Sequence, residues 1–398
     1  MRHVLVEQIE KAFGWSGPAA LGRSFAQGTM TDPSVCRRLL TPERLIELAL
    51  RRSLAPPQFR CFQNGQEVHP SAFASMTTTR RGQPIPMVDM DRLGKLIQDG
   101  VTAVLDSTDM FDPTVEVACR ALQWWTGELV KANAYLTTRD ASGFDLHWDD
   151  HDVIVIQVAG AKSWEVRGAS RVAPMPGDAQ PDEPSTDTLW AGTMTAGDVM
   201  HIPRGFWHRA TRADRGETAA VGYSLHLTFG VAQQTGVDWI RWLADQARGN
   251  ELFRRDLGPK PDRDTLAQAV VAFADTHGPG EFTAARRRAQ PVRRHASTWG
   301  VFGVPDTVVC LTEFQPDIEK AEDGTVCVEA AGRRVRLAGK ALPAIRMLLS
   351  GAPVSVAEVA GRTGVDARRI AEALLRGSIC GEVSPDLSSA YAGLVTGD

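Results

Sequence analysis

The chain has 398 residues, 43% of them hydrophobic, and a formal net charge of −4. The length exceeds what one hydrophobic core usually organises, and the small negative charge excludes a global basic field for nucleic acid. No apolar run reaches the length of a bilayer span, and the N-terminus lacks a small-residue cleavage site and carries acids within its apolar stretch. The six scattered cysteines fit reduced thiols of a cytoplasmic protein better than a disulfide framework or a zinc site.

In chain order, residues 1–86 read as helix and loop. Thr41-Pro42 opens a helix with a hydroxyl cap and a first-turn proline. The polar, Pro-containing stretch 75–86 reads as a long loop. Residues 89–98 form a predicted helix stopped by Gly100, followed by strand-like VTAVLD. Asp112-Pro113 opens a further helix ending near Gly127. Short strand-like runs then follow at close intervals: LVKANAYLT, DVIVIQVAG, KSWEVRG, TMTAGDVMHIP, HRATRA and AAVGYSLHLTFG. Such a series predicts a barrel or sandwich. The helical period returns after residue 235, with Val237, Ile240, Trp242 and Leu243 on one stripe. Stretch 283–295 holds five Arg and one His and reads as a linker or exposed helix end with a solvated basic surface. The last segment combines the hairpin VCVEAAGRRVRL with three short helices, one opened by Ser355-x-x-Glu358 and one capped by Asp366. That composition resembles a winged helix. Residues 326–398 carry nine Lys and Arg against seven Asp and Glu, a balance that speaks against direct nucleic-acid binding.

The chemistry concentrates in HWDDHDVIVIQV and, further on, AGDVMHIPRGFWH. Alternate residues of a strand share a face, so His147 and Asp149 are expected to point into one barrel mouth. Two imidazoles and one carboxylate on one side of a divalent ion leave open positions, the facial arrangement of non-haem Fe(II) oxygenases. His208 is the expected third ligand. His151 has the same parity as Asp149 and is its rival, but same-face residues stand about 6.6 Å apart along a strand, so three in line gather poorly on one ion. His226 is a lesser rival, more readily a strand histidine near the pocket.

The stretch NAYLTTRDASGFDLHWDDHDVIVIQVAGAKSWEV together with AGDVMHIPRGFWH resembles the JmjC-type, cupin-like domain of the ribosomal oxygenase family, over about residues 87–235. The resemblance implies an α+β protein with a double-stranded β-helix core, Fe(II), 2-oxoglutarate and O2. It implies that Lys162 pairs with the distal carboxylate of 2-oxoglutarate. A dianion buried in a barrel needs such a cation. It places Asn133 and Tyr135, which share a strand face, in the cosubstrate and substrate pocket, and Ser224 nearby. Trp148 and Trp164 read as packing residues. Where the family commonly has Tyr before Ile-Pro, this chain has His201, which is expected at the pocket rim as a substrate contact. The Pro- and Asp-rich stretch 168–190 is a candidate lid.

The expected organisation is 1–86 packing on the barrel, 87–235 the JmjC domain, 236–295 a helical segment able to form a homodimer surface, and 296–398 the winged helix. The expected activity is hydroxylation of an aliphatic, β-type carbon in a protein or peptide, such as a ribosomal protein. Alternatives are a natural-product precursor peptide or small molecule as substrate, N-methyl demethylation, and a non-catalytic metal-binding regulator.

Overall fold

A computed structural model describes residues 1–138, 144–179, 183–211, 222–259, 262–296, 298, 300–303 and 305–395. The chain divides into two compact units: Met1–Ala232 with Val383–Asp398, and Gln233–Glu382. Among the described residues, no helix is long and apolar enough to cross a membrane. All six cysteines are buried.

The first unit is built on antiparallel strands. The long strand Asp152–Ala169 organises them. Its first half pairs with Asp198–Ile202 on one side and Tyr223–Ala232 on the other. Its second half pairs with Thr188–Thr195 and Phe206–Thr211. DVIVIQVAG and KSWEVRG, expected as two strands, are therefore one strand shared between two sheets. Gly160 sits at the transfer, with φ +65. From Tyr223–Ala232 the larger sheet continues through Leu129–Thr138, Thr102–Leu105 and Phe59–Gln63. Side chains of both sheets line one cavity, which makes a cupin-like barrel.

Alternation explains why these strands read as nearly continuous apolar runs. Ile154, Ile156, Leu225, Leu227 and Phe229 pack outward into a core shared with the helices Val4–Phe13, Pro42–Arg51 and Pro113–Thr126. Val153, Val155, Trp164, Val166, Met200 and Ile202 form a second cluster. Both faces are covered, so both are apolar.

The helix starts follow their caps. Thr41 Oγ1 accepts from the Arg44 N–H at 3.2 Å. Asp112 Oδ1 accepts from the N–H groups of Thr114 and Val115, and Gly127 closes that helix in the left-handed region. The N-terminal region is richer in strands than expected. Ala26–Thr29 pairs with Asp198–Ile202, and Phe59–Gln63 pairs with Thr102–Leu105. The stretch read as a loop at 75–86 forms most of a hairpin, Ala74–Thr78 with Pro84–Val88. Of its strand residues only Val88 is buried, so no buried face marked them in the sequence.

The two ends of the chain meet on this unit. Val4 N–H donates to Leu394 O at 2.8 Å, and His3 bridges Val395. Tyr391 Oη receives the buried Arg120 guanidinium at 2.8 Å. His3 Nδ1 caps the first helix by accepting from Leu5 N–H at 3.0 Å. Burial pushes His3 down to about 4. Between pH 6.5 and 4 the unfolded chain binds this proton and the folded chain does not. His3 therefore costs no stability above pH 6.5 and costs progressively more as pH falls towards 4. A His3→Asn chain keeps an acceptor at the cap. Its urea-unfolding free energy should fall less steeply over that window, by up to about 1.4 kcal/mol per pH unit. Identical slopes would exclude His3 as a contributor.

The second unit begins with helices Gly236–Ala247, Arg263–Thr276 and Pro279–Ala289. The arginine block is less solvated than expected. Arg288 reaches Asp317 at 3.5 Å and Glu329 at 3.6 Å, and Arg286 lies over the Phe314 ring. Beyond it are the hairpin Thr325–Ala330 with Arg333–Ala338 and a three-stranded sheet of Val354–Ser355, Thr307–Cys310 and Cys380–Glu382. Helices Leu342–Leu348, Val356–Thr363 and Ala367–Arg376 accompany them.

Candidate metal centre and its cavity

The cavity of the first unit holds about 220 Å³. At one end stand His147, Asp149 and His208, whose donor atoms all lie within 4.8 Å of one another. His147 does not belong to a regular strand. It forms an isolated antiparallel bridge with His208, with backbone hydrogen bonds of 3.1 and 2.7 Å. Residues 148–151 are irregular and the strand begins at Asp152. The two histidines are thus juxtaposed by direct backbone pairing, and strand parity does not account for the common direction of His147 and Asp149.

Each ring is oriented by its own chain. His147 Nδ1 lies 2.7 Å from Asp145 O, and His208 Nδ1 lies 3.1 Å from Phe206 O. An Nδ1–H donated to a carbonyl leaves Nε2 as the free lone pair, the usual arrangement behind a metal-binding histidine. Asp149 Oδ2 is 3.5 Å from His208 Nε2. Burial lowers His208 to about 4, against the opposing pull of Asp149. The ring is therefore neutral at pH 7, as a ligand must be. Two oriented imidazoles and one carboxylate fit a divalent ion of borderline hardness.

The rivals are placed differently. His151 lines the cavity but turns its Nδ1 to Asp150 Oδ1 at 3.0 Å. Its ring rests against Gly230, where a Cβ would come within 2.8 Å of it. His226 also lines the cavity and lies outside the three-residue cluster.

Lys162 lines the same cavity and is 2% exposed. Asn133 and Tyr135 line it from the larger sheet. Asn133 Oδ1 accepts from Ser107 N–H at 2.9 Å. Burial raises the Tyr135 phenol to about 12. Trp164 forms wall between His208 and His226, at centroid distances of 6.5 and 5.2 Å.

Two expected contacts are not brought to the cavity. Ser224 is buried outside its lining and receives the Gln157 amide at 2.9 Å. His201 is fully buried rather than at a rim. Its Nδ1 meets Ser24 O at 2.9 Å, and its ring stands edge-on to Trp15. The reason is alternation: Met200 and Ile202 turn to the inner cluster, so His201 between them turns away. The described part of the 168–190 stretch is tied down, with Trp207 Nε1 donating to Ser170 Oγ at 2.8 Å and Gly168 N–H to Asp187 O at 2.9 Å. Residues 180–182 of that candidate lid lie outside the described residues.

The cavity also contains residues that sequence reasoning missed: Arg60, Thr102, Thr137, Phe144 and Thr228. Thr228 was within reach, because it shares the parity of His226. Arg60, Thr102 and Thr137 depend on pairings between distant strands, as with Thr102 opposite Thr137, while Phe144 lies in an irregular segment three residues before His147.

A barrel carrying two histidines and a carboxylate at its mouth defines the class. Residues 109–234 match the JmjC domain family. Over 164 residues the chain is 30% identical to the bifunctional lysine-specific demethylase and histidyl-hydroxylase NO66 of Caenorhabditis briggsae, covering 40% of this chain and 20% of that protein. Over 198 residues it is 33% identical to ribosomal oxygenase 1 of Rattus norvegicus, covering 46% of this chain and 31% of that one. The chain thus spans less than a third of the length of these two relatives. Among solved structures, E. coli ycfD aligns over 91% of this chain and 96% of its own, with a TM-score of 0.53 and 15% identity. The ribosomal oxygenase YcfD in complex with cobalt and 2-oxoglutarate aligns with a TM-score of 0.51 and 14% identity, over 91% of this chain and 95% of its own. Residues 109–234 thus carry a JmjC domain, in a chain whose fold is that of the solved ribosomal oxygenase YcfD.

Proposed function

We propose that this chain is an Fe(II)- and 2-oxoglutarate-dependent oxygenase that hydroxylates an aliphatic carbon of a residue in a protein or peptide. One observation carries the reading: His147, Asp149 and His208 converge in a cavity that also buries Lys162. Together, Fe(II) and 2-oxoglutarate supply the oxidation of an unactivated C–H bond by O2. The chain's own residues would do the rest. His147, Asp149 and His208 would hold the ion on one side. Lys162 would hold the far carboxylate of the cosubstrate. Tyr135, Phe144 and Trp164 would exclude water from the reacting carbon.

The relatives' names support a ribosomal protein as substrate, with histidyl hydroxylation and lysine demethylation both among their activities. In the second unit, three helices with a three-stranded sheet support a winged helix, which we take to position the substrate. Exposed Ile240, Val270 and Val271 support self-association of its leading helices; a monomer in sedimentation at micromolar concentration would remove that idea.

Anaerobic titration of Fe(II)-loaded protein with 2-oxoglutarate, followed by O2 and a succinate assay, tests the activity. Wild type is expected to bind and turn over. Lys162→Met should weaken 2-oxoglutarate by about 10–100-fold, the worth of a hydrogen bond to a charged group. If wild type binds neither ligand, the enzyme reading fails. Intact masses of candidate ribosomal peptides then separate hydroxylation, a gain of one oxygen, from demethylation.

A further inference from the structure

His226 lies on the strand Tyr223–Ala232, directly opposite Tyr135 on one neighbour and Gln157 on the other. Its ring stacks flat on Tyr135, with centroids 4.8 Å apart and planes 8° from parallel. It meets Trp164 in a T-shaped contact, with planes 73° apart. It is 4% exposed, and its Nδ1 has no hydrogen-bond partner. Buried polar atoms are nearly always satisfied, so an orphan on a cavity wall points to a group from outside the chain.

The charge around it says which kind of group. Burial, reinforced by the positive charge of Lys162, holds the ring at about 3 and therefore neutral. A neutral imidazole offers one N–H donor, and the nearby cation makes an anion the favoured acceptor. A half-turn of the ring about its last torsion presents either nitrogen without disturbing the stack on Tyr135. Lys162 and Trp164 belong to the part of Asp152–Ala169 that joins the smaller sheet, whereas His226 and Tyr135 belong to the larger one. The two donors thus come from different strands, and the Trp164 ring neighbours both His226 and the ligand His208.

We propose that His226 is a second donor to the distal carboxylate that Lys162 holds, completing a two-point clamp for a 2-oxo dicarboxylate. The proposal rests on the 2-oxoglutarate reading above. Because the ring is locked by aromatic stacking, the clamp is preorganised and selects for the length of the acid as well as for its charge.

The test is calorimetric and needs no turnover. Anaerobic Fe(II)-loaded protein is titrated with 2-oxoglutarate and with 2-oxobutyrate, which keeps the chelating end and lacks the distal carboxylate. His226→Phe keeps the stack and removes the donor. It should weaken 2-oxoglutarate about tenfold, roughly 1.4 kcal/mol, and leave 2-oxobutyrate unchanged. His226→Gln restores a donor and should recover much of the loss. Equal binding of 2-oxoglutarate by wild type and His226→Phe overturns the clamp. So does an equal loss for both acids, which would place His226 at the metal end. If wild type binds neither acid, the underlying cosubstrate reading has failed instead.

Discussion

An Asp149→Ala chain is expected to lose at least about 100-fold in Fe(II) affinity, with succinate release falling below detection. Asp149 is the one carboxylate of the three-residue cluster. Without it two neutral imidazoles remain, and nothing in the donor set offsets the charge of a divalent ion. Changes one shell further out typically cost 10–100-fold in metal affinity or activity, so loss of the anionic ligand itself should cost at least the upper figure. Asp150 is the internal control. Its carboxylate meets His151 at 3.0 Å and is not in the cluster. Asp150→Ala should stay near wild type in chelator competition. Retention of iron by Asp149→Ala, or an equal loss in Asp150→Ala, would refute the ligand assignment.

Gly160→Ala should be the most damaging small change in the barrel. Gly160 has φ +65, and a Cβ there would lie 1.9 Å from Tyr223 O and 2.8 Å from its carbonyl carbon. Both atoms are backbone, so no rotamer relieves the overlap. Gly160 pairs with Ser224 in the larger sheet while Ala161 pairs with Thr195 in the smaller one. The strand therefore cannot shift there without moving Lys162 two residues on. The expected loss is about 3 kcal/mol or more, from left-handed strain plus backbone displacement. Gly177 isolates the first contribution, the left-handed strain, because it has φ +86 with nothing near its Cβ position. Gly177→Ala should cost only about 1–2 kcal/mol. Urea unfolding measures both, and equal losses would show that the crossing tolerates a side chain.

Much of the local structure was legible. Thr41-Pro42 and Asp112-Pro113 announce helices because a cap and a first-turn proline satisfy or remove orphan N–H groups within a few residues. Gly100 and Gly127 mark helix ends for the same local reason. The histidines and carboxylate of the cluster could be nominated from residue type and spacing. The parity argument behind them was incomplete, since residues 148–151 are not strand.

The faces of the strands were a different matter. His201 was expected at the rim from its place before Ile202-Pro203, yet its neighbours Met200 and Ile202 take the inward positions. Arg60 was hidden in a region read as helix and loop, and the strand pairing that carries it to the cavity joins residues more than 40 positions apart, as in Arg60 opposite Val104. Sequence by itself determined the helix boundaries, the turn glycines and the metal-competent residue types, because each rests on chemistry within one or two turns of chain. Tertiary structure alone decided which way His151, His201 and His226 face and which distant side chains join the ligands in the cavity, because strand register is set by partners far away in the chain.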